Sequence, residues 1–384
     1  MKIGVMTFWW SEDNYGQLLQ CYALQKYLRD LGHDVFLIRY DPRSENRLSY
    51  TRLLKVLNPV KVVKYLLAKN RYRRMMLEQK IHPRYFELFR SRYIKQSEKI
   101  YTSYKELREN PPHADVYIVG SDQVWNYTSQ TDLNYINAFT LNFGADSIFR
   151  LSYAASFGKG SLDNIRFKFA DLVRGFKFIS VREDSGVSIC SEIGLKSVVV
   201  CDPTLLLSNN EWQYLFQNEI REEDRYIFVY MLSNTCKFSL KKLALWSKSN
   251  NLKIVYVTGN TAYKYSNYHD RGFKKYYLSI NQWLSYLFNA EYIVTNSFHC
   301  CLFSILFQKK IANIPLTGEL SDTNVRIATL YDKLKIDKIE IKDNDFSVLK
   351  TLKAKPLTSD FINYSKNILE SELNEIGNLY KKQY

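Results

Sequence analysis

Residues 2–40, KIGVMTFWWSEDNYGQLLQCYALQKYLRDLGHDVFLIRY, decide the fold. Lys2–Phe8 is a short apolar run that reads as a strand. Leu18–Leu31 carries apolar residues at 18, 19, 22, 23, 24, 27, 28 and 31, the stripe of a helix. Gly32 ends that helix, and Val35–Tyr40 is the next apolar run. Strand, helix and strand at this spacing form a βαβ unit, which predicts a parallel sheet with a right-handed crossover.

The alternation continues outward from this unit. Val116–Gly120, Phe149–Ala155, Phe178–Arg182 and Ser197–Cys201 read as strands, with a helix over Ser185–Ile193. Asp202-Pro203 breaks the pattern. After Trp212 a second block begins, with strands at Tyr226–Leu232, Lys253–Val257, Tyr292–Thr295 and Ile311–Ile314. Its helices fall at Ser239–Asn250, Asn281–Asn289, His299–Phe307 and Asp322–Leu334. A last helix, Asp360–Lys382, is expected to cross back onto the first block. The expected class is α/β: two Rossmann-like doubly wound domains, 1–207 and 208–355, with a cleft between them and the returning helix in 356–384.

Composition sets the outer bounds. The 384 residues are 46% apolar and 24% charged, which excludes a collagen-like or disordered chain. The net charge is +15, and it is concentrated: Arg43–Glu109 holds 18 Lys/Arg, six Glu and no Asp, a net +12. This predicts a basic helical insert over about 43–110 in the first domain. Within it, Arg52–Met76 mixes Leu53, Leu54, Leu57, Val60, Lys61, Lys64 and Tyr65 at helical spacing. Its plain reading is a pair of solvated helices; its functional reading is a surface for anionic lipid or a lipid diphosphate. No zinc finger, RRM or helix-turn-helix pattern is present, so nucleic acid is not expected as a partner.

MKIGVMTFWW lacks a small-residue cleavage site, and no stretch approaches the roughly 18 apolar residues of a membrane span. The six cysteines, Cys21, Cys190, Cys201, Cys236, Cys300 and Cys301, contain no C-x-x-C pair. They read as reduced, mostly buried thiols, and no metal site is expected. The expected location is cytoplasmic, at the inner face of the plasma membrane.

Ligands of open parallel sheets sit beyond the carboxyl ends of strands, so the strand-to-helix junctions carry the candidate site. Asn14 and Tyr15 open the first helix and suit an anion or sugar; a loop with a helix N-cap is the plain alternative. In Gly120-Ser121-Asp122-Gln123-Val124-Trp125-Asn126, Ser121, Asp122 and Gln123 can bind sugar hydroxyls and Trp125 can stack on the C–H face. The alternative is a capping turn with Trp125 in the core. Arg182 and Glu183 follow the Phe178–Arg182 strand, and a planar guanidinium there suits a carboxylate or phosphate; a structural contact with Glu183 or Asp184 is the plain alternative. Ser297 and His299 stand at a helix start after Tyr292–Thr295, where an imidazole is poised for proton transfer; a structural histidine is the plain alternative. Arg326, opening another helix, is either a second anion ligand or a solvated side chain.

Six segments taken together resemble the polysaccharide pyruvyl transferase family, in order from about residue 3 to 335. They are Asn14-Tyr15-Gly16 with Leu19-Gln20-x-Tyr22-Ala23-Leu24, the Gly120–Asn126 segment, and Ser152-Tyr153-Ala154-Ala155-Ser156-Phe157-Gly158. Ser180-Val181-Arg182-Glu183 with Asp202-Pro203-Thr204, Thr295-Asn296-Ser297-Phe298-His299, and Asn324-x-Arg326-Ile327 complete the set. Family members often carry Gly where this chain has Cys300, and some carry Arg where it has Ser297. The resemblance implies a glycosyltransferase-B-like pair of domains. It also implies transfer of pyruvate from phosphoenolpyruvate onto two hydroxyls of a capsule or cell-envelope sugar, as a cyclic ketal with release of phosphate. Under that reading Arg182 and Arg326 hold the donor, His299 shuttles the proton, Asp122 serves the acceptor hydroxyl, and no metal or redox cofactor is required. A lipid diphosphate carrier, a nucleotide and a polymer are the alternatives for what bears the acceptor sugar. A nucleotide-sugar glycosyltransferase of the same two-domain plan and a non-catalytic sugar- or lipid-binding module remain alternatives.

Overall fold

Strand β1 (Lys2–Met6) is buried at every position after Lys2, because it lies inside a sheet covered on both faces. The computed structural model describes residues 1–43, 66, 70, 73, 76–128, 131–162, 165–219, 223–233, 235–259 and 272–383. Its first sheet has seven strands in the order β3-β2-β1-β4-β5-β6-β7. These are β2 (Asp34–Tyr40), β3 (Gln96–Tyr101), β4 (Val116–Val119), β5 (Phe149–Ala155), β6 (Phe178–Val181) and β7 (Val198–Val199), beside β1. Every pairing is parallel. The second sheet, also wholly parallel, runs β11-β10-β8-β9. It is built from β8 (Tyr226–Met231), β9 (Lys253–Thr258), β10 (Tyr292–Thr295) and β11 (Lys310–Asn313). Two parallel α/β sheets in sequence give the α/β class expected.

Local structure departs from expectation at several points. Strand β3 was expected to be helical insert. Instead Ser97 and Tyr101 turn inward while Glu98, Lys99 and Ile100 are exposed, which suits a charged edge strand. Helices Phe86–Tyr93 and Tyr104–Glu109 flank it, so the end of the basic segment belongs to the sheet. Of the stretch Arg52–Met76, expected to be helical, Leu66, Asn70, Arg73 and Met76 are described and are helical, and the rest lies outside the described residues. The strand expected over Ser197–Cys201 shrinks to Val198–Val199 at the opposite edge. The helix expected from Asp322 starts at Asn324, after a 3-10 turn over Gly318–Thr323.

The two sheets share one buried layer. Helix Tyr15–Asp30 from the first half and helix Phe298–Leu306 from the second meet in it. Every residue of Phe298–Leu306 is buried, as an all-round apolar helix requires. Tyr15 stacks on Trp283 with ring centroids 5.1 Å apart, and Trp212 sets its edge on Phe303 at 4.8 Å. The C-terminal helix Asp360–Gln383 closes over the first half: Ser365 accepts the Cys201 N–H at 2.9 Å, and Tyr27 donates to Glu370. No described helix is long and apolar enough to cross a membrane.

Candidate active site

The carboxyl ends of β4, β6 and β7 in the first sheet and β10 in the second bring four junctions to one place. Asp202, three residues past the end of the short strand β7, is its hub, and it is 2% exposed. Its Oδ2 accepts from Arg182 Nη1 at 2.9 Å and lies 3.1 Å from the Ser121 hydroxyl and 3.5 Å from His299 Nε2. Its Oδ1 caps the following 3-10 turn, accepting from Thr204 N at 3.1 Å and Thr204 Oγ1 at 2.8 Å. Burial alone pushes this carboxyl up, but the facing His299 and Arg182 outweigh it and hold the group well below the usual carboxylate range. Asp202 was not among the residues expected at the site. An Asp before Pro at a strand end signals a turn cap, and that signal hides its second oxygen.

Arg182 follows β6 directly and is 5% exposed. Beyond Asp202 it reaches Asp122 Oδ1 at 3.8 Å and Glu183 Oε2 at 3.9 Å, both ion-pair and not hydrogen-bond distances. Its Nε and Nη2 therefore make no hydrogen bond. The guanidinium sits 4.4 Å from the centre of the Phe298 ring, and that of Arg326 sits 5.9 Å from the same ring. Arg326 is half-buried, donates Nε–H to Thr323 O at 3.3 Å, and faces the Gln123 side-chain amide. With that amide oriented oxygen-first, the oxygen accepts from both Arg326 Nη atoms at 2.6 and 3.0 Å. Burial first, then the like charge of Arg182, pulls the Arg326 pKa down to about 10. The group stays cationic at neutral pH.

His299 comes from the second half and lodges against the first. It is 7% exposed, in the first turn of Phe298–Leu306. A Cβ on Gly16 would stand 2.1 Å from its Nδ1, so only glycine at that position leaves room for the imidazole. Asp122 is held at φ 69° and is 7% exposed, its Oδ1 accepting the Gln123 N–H at 2.8 Å. Glu183 braces the wall: Oε1 accepts from Ser156 Oγ at 2.7 Å, Phe157 N at 2.9 Å and Gly158 N at 3.1 Å, and Oε2 makes no hydrogen bond. Of twelve buried side-chain polar atoms without a hydrogen bond among the described residues, four lie here: Arg182 Nε and Nη2, Glu183 Oε2 and His299 Nε2.

The structure moves three expected residues out of substrate reach. Trp125 is 0% exposed, donates Nε1–H to Phe139 O at 2.9 Å and packs on Phe157 and Phe169, so its ring is core and no sugar platform. Tyr15 is likewise sealed, its hydroxyl donating to Leu278 O at 2.8 Å. Ser297 spends its hydroxyl capping a helix, accepting from Cys300 N at 3.4 Å. Asn14, at the start of Tyr15–Asp30, is half-buried and makes no side-chain cap. Phe298, the ring beneath both guanidinium groups, is a further site residue that sequence reading did not single out. All six cysteines are free, five of them buried. Among the described residues no group of three or more His, Cys, Asp or Glu could hold a metal ion.

Solved structures match along most of the chain at low identity. The UDP-GlcNAc 2-epimerase of Methanocaldococcus jannaschii is 12% identical, with 96% of this chain and 99% of that one covered and a TM-score of 0.45. The UDP-N-acetylglucosamine 2-epimerase of Rickettsia bellii is 10% identical over 99% and 98%, TM-score 0.49. UGT89C1 of Arabidopsis thaliana is 11% identical over 99% and 98%, TM-score 0.44. No curated protein matches in sequence. The polysaccharide pyruvyl transferase family model matches residues 14–317, a span that takes in Gly16, Asp122, Arg182, Asp202 and His299, and the chain belongs to that family.

Proposed function

We propose that the protein transfers pyruvate from phosphoenolpyruvate to two hydroxyls of a cell-envelope or capsule sugar. The observation that carries this reading is the pair of guanidinium groups, Arg182 and Arg326, over one Phe298 ring, with two Arg182 nitrogens buried and unbonded. Two cations so close repel each other, and a small dianion between them relieves the repulsion while meeting the open N–H groups. Phosphoenolpyruvate presents both a carboxylate and a phosphate at that scale.

The chemistry then needs a proton for C3 of the donor and a base for each attacking hydroxyl. Protonation of C3 leaves C2 as an oxocarbenium-like centre. One sugar hydroxyl adds to C2 and gives up its proton. The C2–O bond to phosphate breaks with its electron pair on phosphate, and the second hydroxyl closes the ketal. His299, oriented by Asp202 on one side and Gly16 on the other, is the proton shuttle. Asp122, at the mouth of β4 and near Arg182, orients and deprotonates the acceptor hydroxyl.

The test is ³¹P detection of inorganic phosphate from phosphoenolpyruvate with cell-envelope sugar acceptors. We expect acceptor-dependent release, and a loss of about 10²–10⁴-fold in His299→Ala with an unchanged melting curve. Release of a nucleoside diphosphate from a nucleotide sugar, with phosphoenolpyruvate untouched, would overturn the reading in favour of a glycosyltransferase.

A further inference from the structure

The large apolar side chains exposed to solvent are not evenly spread. Of fourteen among the described residues, six lie between Leu66 and Leu88: Leu66 51%, Met76 45%, Leu77 58%, Ile81 59%, Tyr85 61% and Leu88 63%. Residues 76–81 are helical, so Leu77 and Ile81, four apart, share one face of a turn. The same stretch exposes Arg73 and Lys80, Arg92 follows it exposed, and all lie inside the 43–109 segment that carries +12 of the net charge.

This stretch is nevertheless anchored. Phe86 and Phe89 are buried in the layer shared by both sheets. Arg90 donates from Nη1 to Trp9 O at 3.3 Å and Ser11 O at 2.8 Å, and pairs with Glu12. From the second half, Tyr277 donates to Glu78 and stacks on His82 with centroids 4.3 Å apart. The exposed apolar side chains are thus held on a mount that also fixes the Trp9–Asn14 loop, which leads directly to Gly16 and the His299 contact.

We infer that this face docks on an anionic bilayer, with the apolar side chains entering the headgroup boundary and the cations on lipid phosphates. The combination selects that partner. A nucleic acid answers the cations and leaves Leu77, Ile81 and Leu88 in water. A second copy of the chain brings the same +12 and repels. A bilayer with anionic headgroups answers both features at once, by apolar burial and by attraction of each basic residue to the surface potential. The inference stands on exposure and charge and not on the pyruvyl transfer reading.

The experiment is co-sedimentation of the full chain with vesicles of phosphatidylcholine alone and of phosphatidylcholine with phosphatidylglycerol. Binding is expected only with phosphatidylglycerol. Raising salt from about 0.1 M to about 1 M cuts the Debye length from about 10 to about 3 Å and weakens binding by at least about tenfold. The triple variant Leu77→Asp/Ile81→Asp/Leu88→Asp should lose at least about tenfold while keeping the wild-type melting curve. The control Phe167→Asp/Leu245→Asp, at positions 66% and 73% exposed elsewhere, should bind as wild type. Equal binding to neutral vesicles, no binding, or full binding by the triple variant overturns the inference. So does a wild-type dimer in sedimentation equilibrium that the triple variant makes monomeric, since that assigns the face to a second copy.

Discussion

Arg90 and Arg182 are both almost wholly buried, at 3% and 5% exposure, yet they are built for different ends. Arg90 is answered at every nitrogen: Nε by Glu87 at 2.8 Å, Nη1 by Trp9 O and Ser11 O, Nη2 by Glu12. Arg182 makes one hydrogen bond, to Asp202, and keeps Nε and Nη2 unmet although three carboxylates stand within 4 Å. A guanidinium satisfied by its own chain is architecture. One that is buried, charged and left open is poised for a ligand, because an unmet buried donor costs about 1–3 kcal/mol that a bound anion recovers. The first region ties a loop down, and the second waits.

The sharpest test exchanges the chemistry at both positions. Arg182→Lys keeps the charge but removes the planar fork, and should cut kcat/KM for phosphoenolpyruvate by about 10³-fold or more. Arg90→Lys should lower the melting temperature and leave the turnover of the folded fraction near wild type. Steady-state phosphate release at matched folded concentration reads both. The contrast collapses if Arg90→Lys is the variant that loses turnover.

Next in size is the hub. Asp202→Asn leaves Arg182 without its one hydrogen-bonded acid, at a cost of about 3 kcal/mol in stability near neutral pH. The wild-type carboxyl is held below its ordinary value of 3.8 in the folded state. Its contribution is therefore fully present above that value and is lost as pH falls from 3.8 toward the folded pKa. The gap in unfolding free energy between wild type and Asp202→Asn should be flat from pH 8 to about 5 and narrow only below about pH 4. Urea titrations across that range measure it, and a gap that closes already between pH 7 and 5 would place the linked proton on another group.

A third variant tests how the two halves meet. The Cβ of Gly16→Ala would press on His299 Nδ1, 2.1 Å away, and displace the imidazole by about an ångström. Misplacement on that scale costs about 10² in rate. Phosphate release should fall by that factor while the KM for phosphoenolpyruvate, set by Arg182 and Arg326, changes little. Equal losses in kcat and in donor binding would show that Gly16 shapes the donor pocket itself.

How much of this could be read in the sequence follows from what each residue does. The βαβ period of residues 2–40 was legible because strands buried on both faces are continuous apolar runs. Strand β3 was not, since an edge strand rich in charge reads as solvated helix. Arg182, His299 and Arg326 stood out as polar groups at strand exits that no turn requires, and the structure brings all three to the Phe298 ring or to Asp202. Trp125 and Tyr15 carried the same kind of signal, but a buried aromatic with its polar handle on a backbone carbonyl is indistinguishable in sequence from one lining a groove. Asp202 and Phe298 were missed because their roles exist only once the segment after β7 and the helix after β10 meet from the two halves.

The smallest effect comes from a pair that looks more important than it is. Lys333 and Asp184 bridge the two halves at 2.8 Å, with Asp184 in the first turn of its helix and Lys333 in the last turn of its own. Both ends favour those charges, and the pair adjoins Glu183. But the side chains are 34% and 57% exposed, so water screens the attraction and two flexible chains must be ordered to make it. Such pairs contribute about 0–1 kcal/mol, against several for Arg182 with Asp202. Lys333→Ala should therefore shift unfolding free energy by less than about 1 kcal/mol and the donor KM by less than about fivefold. A larger change in KM, with stability untouched, would make Lys333 a third cation for the donor and extend the open-guanidinium argument from Arg182 to the rim of the cleft.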